Sequence, residues 1–154
     1  MGATTIPAKL KKSQVDGSAV IDFDTDILRC MLVVAGASAP NVSKNGVQFV
    51  SDVIAANAEV TGTGYARQTL TGVTVAFASG TDTVEFSFSD ITFLQNPAGF
   101  TNARYAVFYK RVGADDSTPA DDPVFAIADL DSDRSVQSGD LVLKAPTGGL
   151  INWP

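Results

Sequence analysis

Two acidic triplets have the spacing that first suggests chemistry in this sequence. Asp22, Asp24 and Asp26 alternate with Phe23, Thr25 and Ile27; Asp129, Asp131 and Asp133 alternate with Leu130 and Ser132. Residues two apart in a strand share a face, so each triplet would align its carboxylates there. A calcium ion could then sit between the two ladders or at a subunit contact. Neither triplet is an EF-hand loop, which needs glycine at its sixth position and glutamate at its twelfth. Counted from Asp22 those positions hold Ile27 and Val33; counted from Asp129 they hold Arg134 and Asp140. The favoured reading is strand ends and turns exposed to water, with no metal and no cofactor.

Other routes to catalysis are narrower still. The chain has no histidine, which removes Ser-His-Asp and Cys-His catalysis, histidine-ligated zinc and the ordinary proton shuttle near neutrality. Cys30 is the only cysteine, so neither an intrachain disulfide nor a thiolate zinc site can form. Its apolar surroundings, Leu28 to Val34, predict a buried, inert thiol. Gly62-Thr63-Gly64 resembles the start of a phosphate loop, but no third glycine or Lys-Ser/Thr follows, and a bend in a strand is the plainer reading. Carboxylates are plentiful enough for a glycosidase pair, yet such enzymes need a cleft, and the one tryptophan lies near the C-terminus. Tyr65, Tyr105 and Tyr109 could supply a small sugar-binding platform. No catalytic residue is assigned, and the expectation is a protein that is not an enzyme.

The totals fit that expectation. A chain of 154 residues suits one domain, burying about 68% of its unfolded surface. Net charge is −6, the wrong sign for gripping a nucleic-acid backbone. It is compatible with a place outside a DNA-filled shell. No apolar run approaches the roughly 20 residues of a membrane helix, and the N-terminus lacks the apolar stretch of a secretory signal. Production or assembly in a cytoplasm is expected.

The elements that would position these residues are mostly strands. Residues 1–8 read as an arm closed by Pro7, and 9–154 as the domain. Ala19 to Phe23 and Ile27 to Val34 are β-segments rich in apolar and β-branched residues. The second is apolar on both faces apart from Arg29 and should be central. Residues 46–54 place Phe49, Val50, Val53 and Ile54 at helical spacing, with Asn45 as N-cap, and form the single short helix. Glu59 to Leu70 reads as two strand pieces bent at Gly62 and Gly64. Val73, Val75 and Phe77 alternate, as do Val84, Phe86 and Phe88, which predicts a hairpin. The apolar parity then shifts at Ile91 and Phe93, so a bulge or new element begins near Ser89-Asp90. Strands follow at Tyr105 to Tyr109, Val124 to Leu130 and Asp140 to Leu143, around an acidic loop from Gly113 to Pro123. About nine short strands and one helix predict an all-β, single-domain β-sandwich.

Four phrases carry a resemblance. Ile21 to Arg29 (IDFDTDILR), Glu59 to Arg67 (EVTGTGYAR), Leu70 to Val75 (LTGVTV) and Ala103 to Tyr109 (ARYAVFY) occur in this order. Together they resemble a widespread group of small virion proteins of tailed bacteriophages, over about Lys9 to Gly149. The resemblance implies a β-sandwich or jelly-roll-like fold and a capsid decoration (cement) role on the capsid exterior. A tail or head–tail joining component is the alternative, and a glycan-binding module a further one. Implied partners are the major capsid protein and copies of the chain itself, with a trimer slightly favoured over a dimer by analogy with threefold capsid joints; neither nucleic acid nor membrane is implied. The termini are the expected contacts, through Thr4, Ile6, Leu10, Ile151 and Trp153, although Trp153 could equally cover the bottom of the sandwich.

Overall fold

A strand whose side chains are apolar on both faces must be covered on both, and Leu28–Val34 (β2) is such a strand. The computed structural model describes residues 4–18, 20–43, 45–80 and 83–153, with 152 and 153 by backbone alone. Two elements precede β2: strand β1, Thr4–Thr5, and helix α1, Ala8–Asp16. After it come helix α2, Val50–Ile54, and strands β3, Gln68–Thr69, β4, Thr74–Ala78, β5, Thr83–Ser87, and β6, Ile91–Phe93. Then follow β7, Ala103–Lys110, β8, Val124–Arg134, β9, Leu141–Leu143, and β10, Ile151–Trp153. The main sheet has the order β1-β8-β7-β2-β3, with every pair antiparallel. Smaller antiparallel sheets, β10-β5-β4 and β6-β9, complete a mostly β chain.

The two faces of β2 enter two separate cores. Cys30 and Leu32 join the larger one, where Phe108, Phe125 and Phe100 of the main-sheet side meet Phe86, Phe88, Ile91, Phe93, Leu143 and Ile151 from the smaller sheets. Rings pack edge-on and tilted there, as Phe86 on Phe125 at 5.5 Å and Phe93 on Phe100 at 5.7 Å between centroids. Met31 and Val33 join the other core with Val107, Tyr109, Val124 and Ile127, roofed by Val47 and by Val50 and Val53 of α2. Burying each such side chain contributes about 1.5–3 kcal/mol, so both layers are needed to hold one strand.

The structure departs from the sequence-based elements in five places. Residues 4 and 5 are not a free arm: β1 pairs with Ala128 and Ile127 of β8. Ala8–Asp16 is a helix that the apolar pattern did not reveal, because only Leu10 and Ser13 are buried while Val15 lies in water. Its boundaries were legible, with Pro7 before it and Gly17 after it at φ 71°, the left-handed stop that glycine takes without strain. The second helix starts at Val50, and Asn45 does not cap it. Asp52 does, its carboxylate accepting the Gln48 and Phe49 amides at 2.8 and 2.9 Å. Residues 20–27 form a turn instead of a strand, and between Glu59 and Leu70 only β3 and a single bridge from Glu59 to Val33 are strand-like. The central place of β2, the hairpin of β4 and β5 and the new element at β6 are as the pattern predicts.

Leu10 tests whether the N-terminal segment belongs to the folding unit. Leu10→Ala removes a nearly fully buried side chain and should cost about 2–4 kcal/mol. Urea unfolding followed by circular dichroism measures it; an unchanged midpoint would detach α1 from the core.

Candidate functional site

The densest cluster of ionisable side chains lies along the outer edge of β2. Even-numbered residues of β2 turn their backbone groups away from β7, and the chain from Ala58 to Leu70 satisfies them. Val34 N–H donates to the Ala58 carbonyl at 2.9 Å, the Leu32 carbonyl accepts from Val60 at 3.0 Å, and the Leu28 carbonyl accepts from Leu70 at 2.9 Å. The Leu32 amide is left over, because the chain loops away through Gly62 and Gly64. A side chain at Gly62 would collide with the Phe100 backbone, and Gly64 sits at φ 79°. The Tyr65 hydroxyl fills the gap, accepting the Leu32 N–H at 3.0 Å.

From that hydroxyl a network spreads across the edge. Tyr65 donates to Glu59 Oε1 at 2.9 Å. Arg67 grips the same carboxylate with two bonds, Nε to Oε1 at 2.9 Å and Nη2 to Oε2 at 2.7 Å. Its Nη1 reaches the Tyr109 hydroxyl at 3.3 Å, over whose ring the guanidinium lies at 5.5 Å. Tyr109 in turn donates to Asp116 Oδ1 at 2.7 Å, and Asp116 Oδ2 accepts from Arg29 at 2.6 Å. Arg29 closes the circuit by donating to the Arg67 carbonyl at 2.5 Å.

The electrostatics favour permanence over titration. Burial, then the neighbouring Glu59, pushes the Tyr65 phenol well above its ordinary value, and burial with the bond to Asp116 does the same to Tyr109. Both therefore remain donors. Burial works against the charge on Arg67, but its bonds to Glu59 and Tyr109 outweigh that and raise its pKa further. The members act as struts that tie the Gly113 to Pro123 loop and the 59–67 segment to the central strand. Sequence reasoning did not foresee this cluster. Its signal was Arg29, the one charge in an apolar strand, and four of its partners, Glu59, Tyr65, Arg67 and Tyr109, lie within the phrases quoted above.

The residues singled out from sequence fall elsewhere. Asp22, Asp24 and Asp26 lie in a turn in which the Asp24 amide bonds Asp22 Oδ1 at 3.0 Å and the Asp22 amide bonds Asp26 Oδ2 at 2.8 Å. Asp26 also pairs with Lys110 at 2.9 Å. The second triplet is broken by a bulge, since Tyr105 faces Asp129 but Ala103 already faces Arg134, and Asp131 takes φ 66°. Asp129 pairs with Arg104 at 3.0 Å. Arg104 and Lys110 are six positions apart on β7, about 20 Å, so the triplets sit at opposite ends of the sheet. Among the described residues no group of three His, Cys, Asp or Glu side chains is placed to hold a metal.

Tyr109 is fully buried, and Tyr65, though partly open like Tyr105, is committed to the network, so the tyrosine platform is not assembled. Cys30 is fully buried, its thiol pushed far up by desolvation. A cleft of about 400 Å³ between Val20, Phe49 and Val112 has Lys110 and Asp121 as its charged lining, and the lysine is already paired. Of the expected contacts, Leu10 and Ile151 are buried in the chain's own core, a correction; Thr4 and Ile6 are half-buried, Thr4 in β1 and Ile6 against the same core. Trp153 pairs through its backbone with Val84, and its side chain lies outside the described residues. No described helix is long and apolar enough to cross a membrane. No family model matches the sequence, and neither a curated protein nor a solved structure matches it.

Two substitutions test the network and its surroundings. Tyr65→Phe strips Leu32 and Glu59 of a partner at a buried edge and should cost about 1–3 kcal/mol in urea unfolding, with an unchanged native spectrum. Asp122 is fully buried, with Oδ1 accepting the Val112 amide at 2.8 Å and Oδ2 unpartnered, and burial raises its pKa. A raised carboxyl binds its proton more readily folded than unfolded, so its contribution to stability falls as pH climbs above the ordinary aspartate range. Asp122→Asn should therefore gain on the parent chain as pH rises from about 4; parallel pH profiles would contradict the assignment.

Proposed function

We propose that this chain is a β-sandwich structural component of a tailed-phage particle, jelly-roll-like in its layering, that decorates and cements the capsid exterior without catalysing a reaction. The observation that carries this reading is the closed network on β2. The residue types that could act on a ligand are spent on fixing loops to the central strand, which is how a rigid adaptor is built. The resemblance in the four phrases supplies the particle, and the negative net charge suits its outside better than its DNA-lined interior.

A cement subunit works by binding across capsomer joints, where packaged DNA strains the shell. It contributes buried area that exists only after assembly. A standard interface of about 1,600 Å² spans micromolar to picomolar affinity, depending on its best-packed residues. Many copies on one lattice add avidity without new contacts. The major capsid protein and further copies of the chain are the partners. Because Leu10 and Ile151 are consumed internally, the contacts must come from groups left in water, among them Phe77, Leu94 and Val112.

Mixing the purified protein with empty expanded heads should give saturable, stoichiometric binding, measured by co-sedimentation. Binding to tails or isolated connectors, with none to heads, would select the joining role instead. Binding to no part of the particle removes the reading.

A further inference from the structure

Among the exposed apolar groups, those on β4 differ from the rest because consecutive residues of one strand stand clear. β4 forms the margin of the β10-β5-β4 sheet and, among the described strands, its ladder partner is β5. Thr74, Val75, Ala76 and Phe77 are all exposed, Phe77 to 66% and Val75 to 42%, and Val84 beside Phe77 to 42%. Folded proteins protect a bare strand margin with lysine, proline, a bulge or a covering segment. Residues 73–78, Val-Thr-Val-Ala-Phe-Ala, contain neither charge nor proline, and the β4–β5 register runs without a bulge.

We infer that β4 is a self-association edge, pairing antiparallel with β4 of a second copy about a twofold axis at Ala76. That register sets Val75 against Phe77 of the second copy and Phe77 against its Val75, so each small apolar group meets a large one. Val75 already stands in line with Phe86 and Ile151, and Phe77 with Val84. The joined six-stranded sheet would therefore carry apolar rows across the join. A C2 contact needs a self-complementary patch, and Val75 to Phe77 is one.

Charge points to the same occupant. Two copies of net charge −6 repel, so a contact strand without carboxylates opposes their meeting least. On the neighbouring strand Glu85 faces Ala76. Across the join Glu85 and its twin would be three strand spacings apart, about 14 Å, beyond the Debye length at physiological salt. With five residues a side the contact belongs with weak interfaces, below about 1,200 Å². It gives a concentration-dependent dimer where capsid analogy suggested a trimer. The inference stands whether or not the chain decorates a capsid, and its test uses the purified protein alone.

Sedimentation velocity over rising concentration should show a monomer–dimer equilibrium. Phe77→Lys and Val75→Glu should each weaken it at least tenfold, while circular dichroism stays native because both side chains are exposed enough to carry a charge into water. Combining the two substitutions in one chain sets each introduced carboxylate against the introduced ammonium of the second copy, on both sides of the axis. That double variant should regain a dimer, which a different register or a foreign strand would not allow. A monomer at every concentration, a dimer indifferent to the single substitutions, or a double variant that stays monomeric overturns the proposal.

Discussion

A strand with apolar side chains on both faces and one edge that no full-length strand fills sets three demands at once, and β2 imposes all of them. Cys30 and Leu32 need one cover, Met31 and Val33 another, and the outward amides from Leu28 to Val34 need partners that water cannot supply inside a core. The first demand is met by β5, β6, β9 and β10, the second by α2 and the loop before it. The third falls to a segment that is strand only at β3, which is why one phenol hydroxyl replaces a missing ladder bond. Each layer of the molecule answers a requirement of seven residues.

The ionic network follows from that third demand. A segment that breaks away at Gly62 must be brought back, and Arg67, forked onto Glu59, fixes the return. The same guanidinium lies over Tyr109, which reaches Asp116, so the acidic loop is secured by the groups that close the edge. In partial burial these bonds strengthen one another, while any member left single would be costly. A cluster of two arginines, two tyrosines and two acids thus reads as mechanical reinforcement. The sequence alone could equally have distributed the same residues over a binding face.

The strand margins are treated unequally, and that difference carries functional meaning. At the main sheet, β1 and the 58–70 segment are short or irregular and offer little to a passing chain. On the smaller sheet β4 is regular and uncharged, and its residues Thr74 to Phe77 are exposed. Side chains are sealed on one layer, and apolar groups are exposed on another.

Much of the architecture was legible from pattern alone, for identifiable reasons. Strict alternation at Val73 to Phe77 and Val84 to Phe88 encodes a hairpin, and a run without polar alternation at Leu28 to Val34 encodes a buried centre, because side-chain direction in a strand has a period of two. The absence of histidine and the isolation of Cys30 bear on chemistry before any coordinate is known. Pattern could not say which partners cover a face. Helix α1 was hidden since one leucine suffices to dock it, and the aspartate triplets read as ladders until a turn and a bulge broke their register. The pairing of Asp116 with Arg29 and Arg67 joins residues distant in the chain, and Leu10 and Ile151 changed from expected contacts to core. Local periodicity is a property of neighbours in sequence, whereas burial and ion pairing are decided between segments, and only the tertiary structure brings those together.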